Sequence, residues 1–164
     1  MNNFLNQINK TVYENCDLLL SNFSVEKESN EYEACMFELK NKKVRCRNAK
    51  ITPTKSGQFV TFWKRNAEGI IEPFHENDSF DFFVVIVRTE DALGQFVLPK
   101  PVLIKQAIIS TNQKEGKRAF RVYPIWDSVT SIQAEKTQKW QSDYFFEINA
   151  NTDLKKVHAL FQGV

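Results

Sequence analysis

The sequence predicts an α/β domain in which a mixed central β-sheet is flanked by helices. Three observations predict it. Phe80 to Val87 is a continuous apolar run of strand length whose one charge, Asp81, lies near its start. Such a run has no face to offer water and reads as a strand covered on both sides. Around it, over residues 31–126, short stretches of alternating apolar and polar side chains are separated by turn residues, the period of strands. At the N-terminal end, over residues 2–22, the apolar period lengthens to three and four, the period of helices, and residues 131–161 read as C-terminal helices opened by a serine N-cap. A chain of 164 residues, 42% of them hydrophobic, is long enough to bury one real core, so residues 1–164 are expected to form one domain.

Taken in order, Phe4, Leu5, Ile8, Val12, Cys16, Leu19, Leu20 and Phe23 form one apolar stripe, and the helix is expected to end near Ser21 and Asn22. Residues 24–31 read as a polar loop. Tyr32, Ala34 and Met36 then alternate with Glu33, Cys35 and Phe37. Beyond a turn at Lys40-Asn41-Lys42, Lys43, Arg45 and Arg47 alternate with Val44 and Cys46. This is a hairpin with its cations on one side and Val44 and Cys46 toward the core. Lys55-Ser56-Gly57 is a turn, residues 58–64 a strand, and residues 66–79 an acidic loop. After the central run, residues 94–98 give a strand stopped by Pro99-Lys100-Pro101, residues 102–109 a short helix and residues 118–123 a strand. Residues 131–148 read as one long helix capped by Ser128 or Ser131. Residues 152–161 read as a final helix closed by Gly163. Gly-Gln-Phe-Val occurs at 57–60 and again at 94–97, without wider similarity around the copies, and reads as repeated turn-then-strand chemistry.

The formal net charge of +2 hides a patterned map. Residues 40–65 carry nine cations and no acid, residues 94–141 carry a net +5, and the segments between and around them are acidic. In the first block Arg45, Arg47, Lys50, Lys55, Lys64 and Arg65 are interleaved with Gln58, Phe59, Phe62 and Trp63. In the second, Lys114, Lys117, Arg118 and Arg121 are mixed with Phe120, Tyr123 and Trp126, and Lys136 and Lys139 flank Trp140. Cations contact phosphates, aromatic rings stack on bases, and amide and hydroxyl groups orient both. The competing reading of each block alone is a solvated basic hairpin or helix over core aromatics. If the fold gathers the two blocks on one face, that face attracts a polyanion despite the small net charge.

Other chemistries are poorly served. Lys55-Ser56-Gly57 lacks the upstream glycine of a P-loop. Two histidines, His75 and His158, have no nucleophile pattern beside them, which disfavours a hydrolase triad. Glu72, His75, Glu76 and Asp78 read as an acidic surface loop rather than a divalent-ion site. Cys16, Cys35 and Cys46, without CxxC spacing, point to reduced thiols and a cytoplasmic location. No apolar stretch is long enough for a membrane span. The one catalytic arrangement to weigh is Asp81 at the mouth of the central strand with Gln95 and Lys100 on the next. A carboxylate there can hold Mg²⁺, and a lysine can neutralise developing phosphoryl charge. Against this, Asp81 also reads as a strand cap and Lys100 as a turn residue.

Residues 49–65 (AKITPTKSGQFVTFWKR), 94–100 (GQFVLPK), 110–124 (STNQKEGKRAFRVYP) and 136–141 (KTQKWQ) resemble the MepB family of small bacterial proteins, some encoded beside a multidrug efflux pump and its repressor. The resemblance covers about residues 32–148 and implies a restriction-endonuclease-like core, the framework of PD-(D/E)XK nucleases. Against that pattern, Asp81 falls at the first acid. Gln95 and Lys100 fall near the (D/E)XK positions, with glutamine in place of the acid and a longer spacing. Gln141 and Tyr144 faintly resemble the Gln/Tyr motif of RecB-type nucleases. The expectation is therefore a nucleic-acid- or nucleotide-binding protein, single strands foremost, on a nuclease-like scaffold. The alternatives are a Mg²⁺-dependent nuclease using Asp81 as the metal ligand with Lys100, or a protein-interaction module linked to drug-resistance regulation. No cofactor other than Mg²⁺ is implied, and the sequence does not give the oligomeric state.

Overall fold

The computed structural model describes residues 1–162. Its centre is a six-stranded mixed sheet built from β1 (Leu20–Val25), β2 (Cys35–Leu39), β3 (Lys42–Asn48), β8 (Phe82–Arg88), β9 (Leu93–Pro99) and β11 (Phe145–Glu147), side by side in that order. β3 and β8 run parallel, and every other neighbouring pair is antiparallel. The long crossover from β3 to β8 holds β4 (Lys50–Ile51), β5 (Gln58–Thr61), β6 (Trp63–Arg65) and β7 (Ile71–Pro73). β4 and β5 join β10 (Ala119–Val122) in a three-stranded sheet, and β6 pairs with β7 in a hairpin. The helices are α1 (Asn3–Ile8), α2 (Lys100–Lys105), α3 (Ile132–Ser142) and α4 (Leu154–Gln162).

The central run behaves as its composition requires. Phe82, Val84 and Ile86 enter one core with α1 and α4, while Phe83, Val85 and Val87 enter a second core with the small sheets and α2. All six are at most 1% exposed, so β8 is covered on both faces. The β2–β3 hairpin turns at Lys40 and Asn41, both with positive φ (47° and 67°), as a two-residue turn between right-twisted strands demands. Val44 and Cys46 face the first core as expected.

Three helices end earlier than the sequence predicts. The N-terminal segment is α1 followed by a π-helical turn at Asn9–Tyr13 and a 3₁₀ turn at Glu14–Cys16. It stops where Asp17 takes a left-handed φ of 56° and the Leu18 N–H returns to the Tyr13 carbonyl at 2.9 Å. Residues 20–25, assigned to the end of that helix and the loop after it, are strand β1 instead. Ser, Asn and Val there are indifferent helix formers, and the backbone gains a ladder along β2. Leu19 is left 74% exposed. At the other end Ser131 does cap α3, accepting from the Ala134 N–H at 3.0 Å, but the helix ends at Ser142, not at residue 148. Phe145 and Phe146 are needed in different cores, and only a strand sends consecutive side chains to opposite faces of a sheet. The expected helix at 102–109 is α2, and it ends at Lys105 before Ala107 turns to a φ of 55°. The proposed closure of α4 at Gly163 lies outside the described residues.

The two Gly-Gln-Phe-Val copies use glycine differently. Gly57 needs its positive φ of 77°, whereas a Cβ on Gly94 would lie 2.5 Å from the buried Phe145 ring. Among the described residues no helix is long and apolar enough to cross a membrane.

Candidate functional site

The first basic block does not form an open cationic face, because carboxylates from elsewhere in the chain meet it. Alternation on β3 puts Arg45 and Arg47 on the second-core side. There Glu26, from the segment after β1, bonds Arg45 and lies 3.6 Å from Arg47 Nη2. Arg47 is fully buried and also donates to the Thr61 carbonyl (2.7 Å) and to Ser29 Oγ (3.2 Å). Burial pulls its pKa below the usual arginine value, and Glu26 opposes that pull. Lys64 pairs with Asp78 at 2.7 Å and Glu72 at 3.7 Å, and Arg65 with Glu28 at 2.9 Å while covering the half-buried Trp63 ring. Gln58 is also withdrawn from solvent, its amide donating to the Arg88 carbonyl at 3.1 Å. The cavity lined by Arg45, Trp63, Lys64 and Arg65, about 310 Å³, therefore mixes these cations with Glu26, Glu28 and Asp78. Lys50 and Lys55 remain exposed.

Asp81 and Lys100 are brought together, but Gln95 is not. The Lys100 N–H donates to the Asp81 carbonyl at 3.0 Å, across the mouths of β8 and β9. The Asp81 carboxylate accepts from the Lys43 backbone N–H at 2.8 Å. The Lys100 ammonium is held by the Glu76 carbonyl at 3.0 Å, by the Asp78 carbonyl and by the Phe80 ring. Partial burial lowers its pKa, against the pull of Asp81, Asp78 and Glu76. Gln95 pairs with Ile86, five residues along β8 from Asp81, or about 17 Å at strand rise. It is fully buried, and it accepts from Tyr13 Oη at 2.8 Å. A hard divalent cation wants several oxygen ligands. Among the described residues no three His, Cys, Asp or Glu side chains gather to hold one. This donor set does not fit Mg²⁺.

The second basic block is arranged otherwise. Among the described residues β10 has a strand neighbour, β5, on one edge only, and α3 lies along the other. Gln141 of α3 is fully buried and completes that edge as a strand would: Nε2 donates to the Arg121 carbonyl at 3.0 Å, and Oε1 accepts from the Tyr123 N–H at 2.8 Å. Its amide is thereby spent on structure, and Tyr144 packs against the second core. Where the strand and helix diverge they leave a cleft of about 440 Å³. Lys117, Phe120, Arg121, Tyr123 and Trp140 line it, with no carboxylate among the lining residues. Lys117 is exposed, and Arg121 is half-buried, with its guanidinium fixed by Thr52 Oγ1 (2.8 Å) and the Ser56 carbonyl (3.2 Å). Arg118 is occupied by Glu115 at 3.1 Å, while Lys114, Lys136 and Lys139 are exposed outside the cleft lining.

Sequence reasoning missed Gln106, Gln133 and Thr137, which also line this cleft. The signal was present. Gln133, Thr137, Trp140 and Gln141 recur at three- and four-residue intervals, which puts these hydrogen-bonding side chains on one helix face with a tryptophan among them.

Comparison with known proteins agrees with this architecture. No curated protein matches the chain. A solved structure described as the crystal structure of MepB is 33% identical and superposes with a TM-score of 0.80, over 92% of this chain and 100% of that one. A family model described as MepB-like matches residues 26–147, from Glu26 of the buried ion cluster to the end of β11. On these grounds the chain belongs to the MepB-like family.

Proposed function

We propose that the protein binds single-stranded nucleic acid or a nucleotide in the cleft between β10 and α3, as a cytoplasmic binding protein. The observation that carries this reading is a cleft joining Lys117 and Arg121 to the Trp140 ring with no carboxylate of the described residues in its lining. Lysine and arginine neutralise phosphate, the indole offers a base a stacking face, and the Gln and Thr side chains supply hydrogen bonds to base or sugar. The restriction-endonuclease-like core that the family resemblance implies belongs to the same reading. It is supported by the parallel β3–β8 pair beside the antiparallel β8–β9 pair, with Asp81 and Lys100 at their mouths.

The test is a salt titration of binding to a fluorescein-labelled single-stranded oligonucleotide, followed by anisotropy. The logarithm of the affinity falls with the logarithm of salt, with a slope of about −0.7 per phosphate contact. Lys117→Ala flattens the slope by about one such contact. Lys64→Ala leaves it unchanged, because Asp78 already holds that ammonium. Absence of binding at low salt, or a slope indifferent to Lys117→Ala, overturns the reading.

A further inference from the structure

The three-stranded sheet carries a row of side chains that begins at Arg121 of the cleft and runs on beyond it. Arg121 and Lys50 are both register partners of Phe59, so Lys50, Phe59 and Arg121 stand side by side across β4, β5 and β10 on one face. The Arg121 guanidinium lies 5.9 Å from the centre of the Phe59 ring. On the other side Tyr32 extends the row, its ring 6.5 Å from that of Phe59 and carrying the Lys50 ammonium at 4.6 Å. Among the described residues neither Lys50 nor Arg121 has a carboxylate partner, in contrast to Arg45, Arg47, Lys64 and Arg65. Arg121 also lines the cleft, so the row starts where the cleft ends.

We propose that the ligand is a single-stranded oligonucleotide, not a free nucleotide, and that its chain leaves the cleft at Arg121 and crosses the three-stranded sheet over Phe59 to Lys50. This deepens the cleft reading and rests on it. Two strand spacings separate the cations, about 10 Å. At about 3.4 Å per stacked nucleotide that is roughly three steps, beyond the reach of one nucleotide seated in the cleft. The row alternates cation and ring, the arrangement that takes phosphates and bases in turn along a single strand. A mononucleotide leaves Lys50 idle, and an acidic protein partner leaves the Phe59 ring between the cations without a role.

Calorimetric titration with oligothymidylates of one, two, four and six nucleotides tests the path. Affinity rises about tenfold from the mononucleotide to the tetranucleotide, the factor one stacked base supplies, and then levels off. Lys50→Ala removes about 0.7 from the salt slope of the tetranucleotide and leaves the mononucleotide unaffected, whereas Lys117→Ala weakens both. Lys50→Gln, which keeps the stem over Tyr32, behaves like Lys50→Ala. A mononucleotide bound as tightly as the tetranucleotide, or a tetranucleotide slope unchanged by both Lys50 variants, overturns the path while the cleft reading stands. If no length binds at low salt, the cleft reading itself falls and takes the path with it.

Discussion

Gln141→Leu removes both hydrogen bonds by which α3 completes the open edge of β10, while nearly conserving side-chain volume. The Arg121 carbonyl and the Tyr123 N–H then lose partners now at 3.0 and 2.8 Å from a fully buried amide. A buried backbone group left without a partner costs about 1–3 kcal/mol. Both groups border a cleft from which water can reach them, so the lower half of that range applies, about 2–4 kcal/mol together. With a urea m-value of about 1–3 kcal/mol/M, the unfolding midpoint falls by about 1–2 M at an unchanged m. Equilibrium urea unfolding read by far-UV circular dichroism measures it. Gln141→Glu sharpens the test. Its carboxylate still accepts from Tyr123, but its second oxygen faces the Arg121 carbonyl as a like partial charge, so its defect is largest at neutral pH and eases on acidification, when a protonated carboxyl donates. A Gln141→Leu midpoint within about 0.2 M of the parent's would refute the claim that this amide holds strand and helix together.

The buried cluster around Arg47 yields a second prediction. Glu26→Ala destabilises by about 3–5 kcal/mol, because it leaves a fully buried guanidinium without its countercharge, and thermal unfolding against the parent measures the loss. An effect below about 1 kcal/mol would show that the carbonyl of Thr61 suffices. Stability also falls on the alkaline side. The Cys46 thiol is held well above its usual pKa by its contact with Cys35 and by burial, and burial holds the Tyr13 phenol up as it donates to Gln95. For an acid whose folded pKa is raised, the stabilisation is complete below the unfolded value and is lost as pH climbs toward the folded one. The loss therefore begins near pH 8.5 for the thiol and near 10 for the phenol, at about 1.4 kcal/mol per pH unit for each group once past it. Denaturant unfolding from pH 7.5 to 10.5 reads this slope, and a flat profile contradicts it.

Part of the candidate site's geometry was legible in the chain and part was not. The second block was legible because Lys117, Arg121 and Tyr123 are close in sequence, and the helix face carrying Trp140 repeats at helical spacing. The first block misled because its neutralising acids are distant in sequence. Glu26 is 19 residues from Arg45, and Glu28 is 37 from Arg65. Gln95 misled for a related reason: strand register, not spacing from Lys100, decides which residue of β9 faces Asp81.

What the sequence by itself determined is whatever a local pattern encodes. The doubly buried strand β8 follows from an uninterrupted apolar run, the β2–β3 turn from a polar break at Lys40-Asn41-Lys42 whose Asn41 tolerates positive φ, and the start of α3 from a serine whose hydroxyl meets a free helix N–H. What only the tertiary structure decided is where local preference was weak and partners were remote. It turned residues 20–25 and 145–147 into strands, since an edge ladder and two separate cores outweigh a helical period that those residues support only poorly. It also decided which cations stay free. Coulomb attraction acts through space and not along the chain, so folding matched Arg45, Arg47, Lys64 and Arg65 to carboxylates and left Lys50, Lys117 and Arg121 unmatched among the described residues.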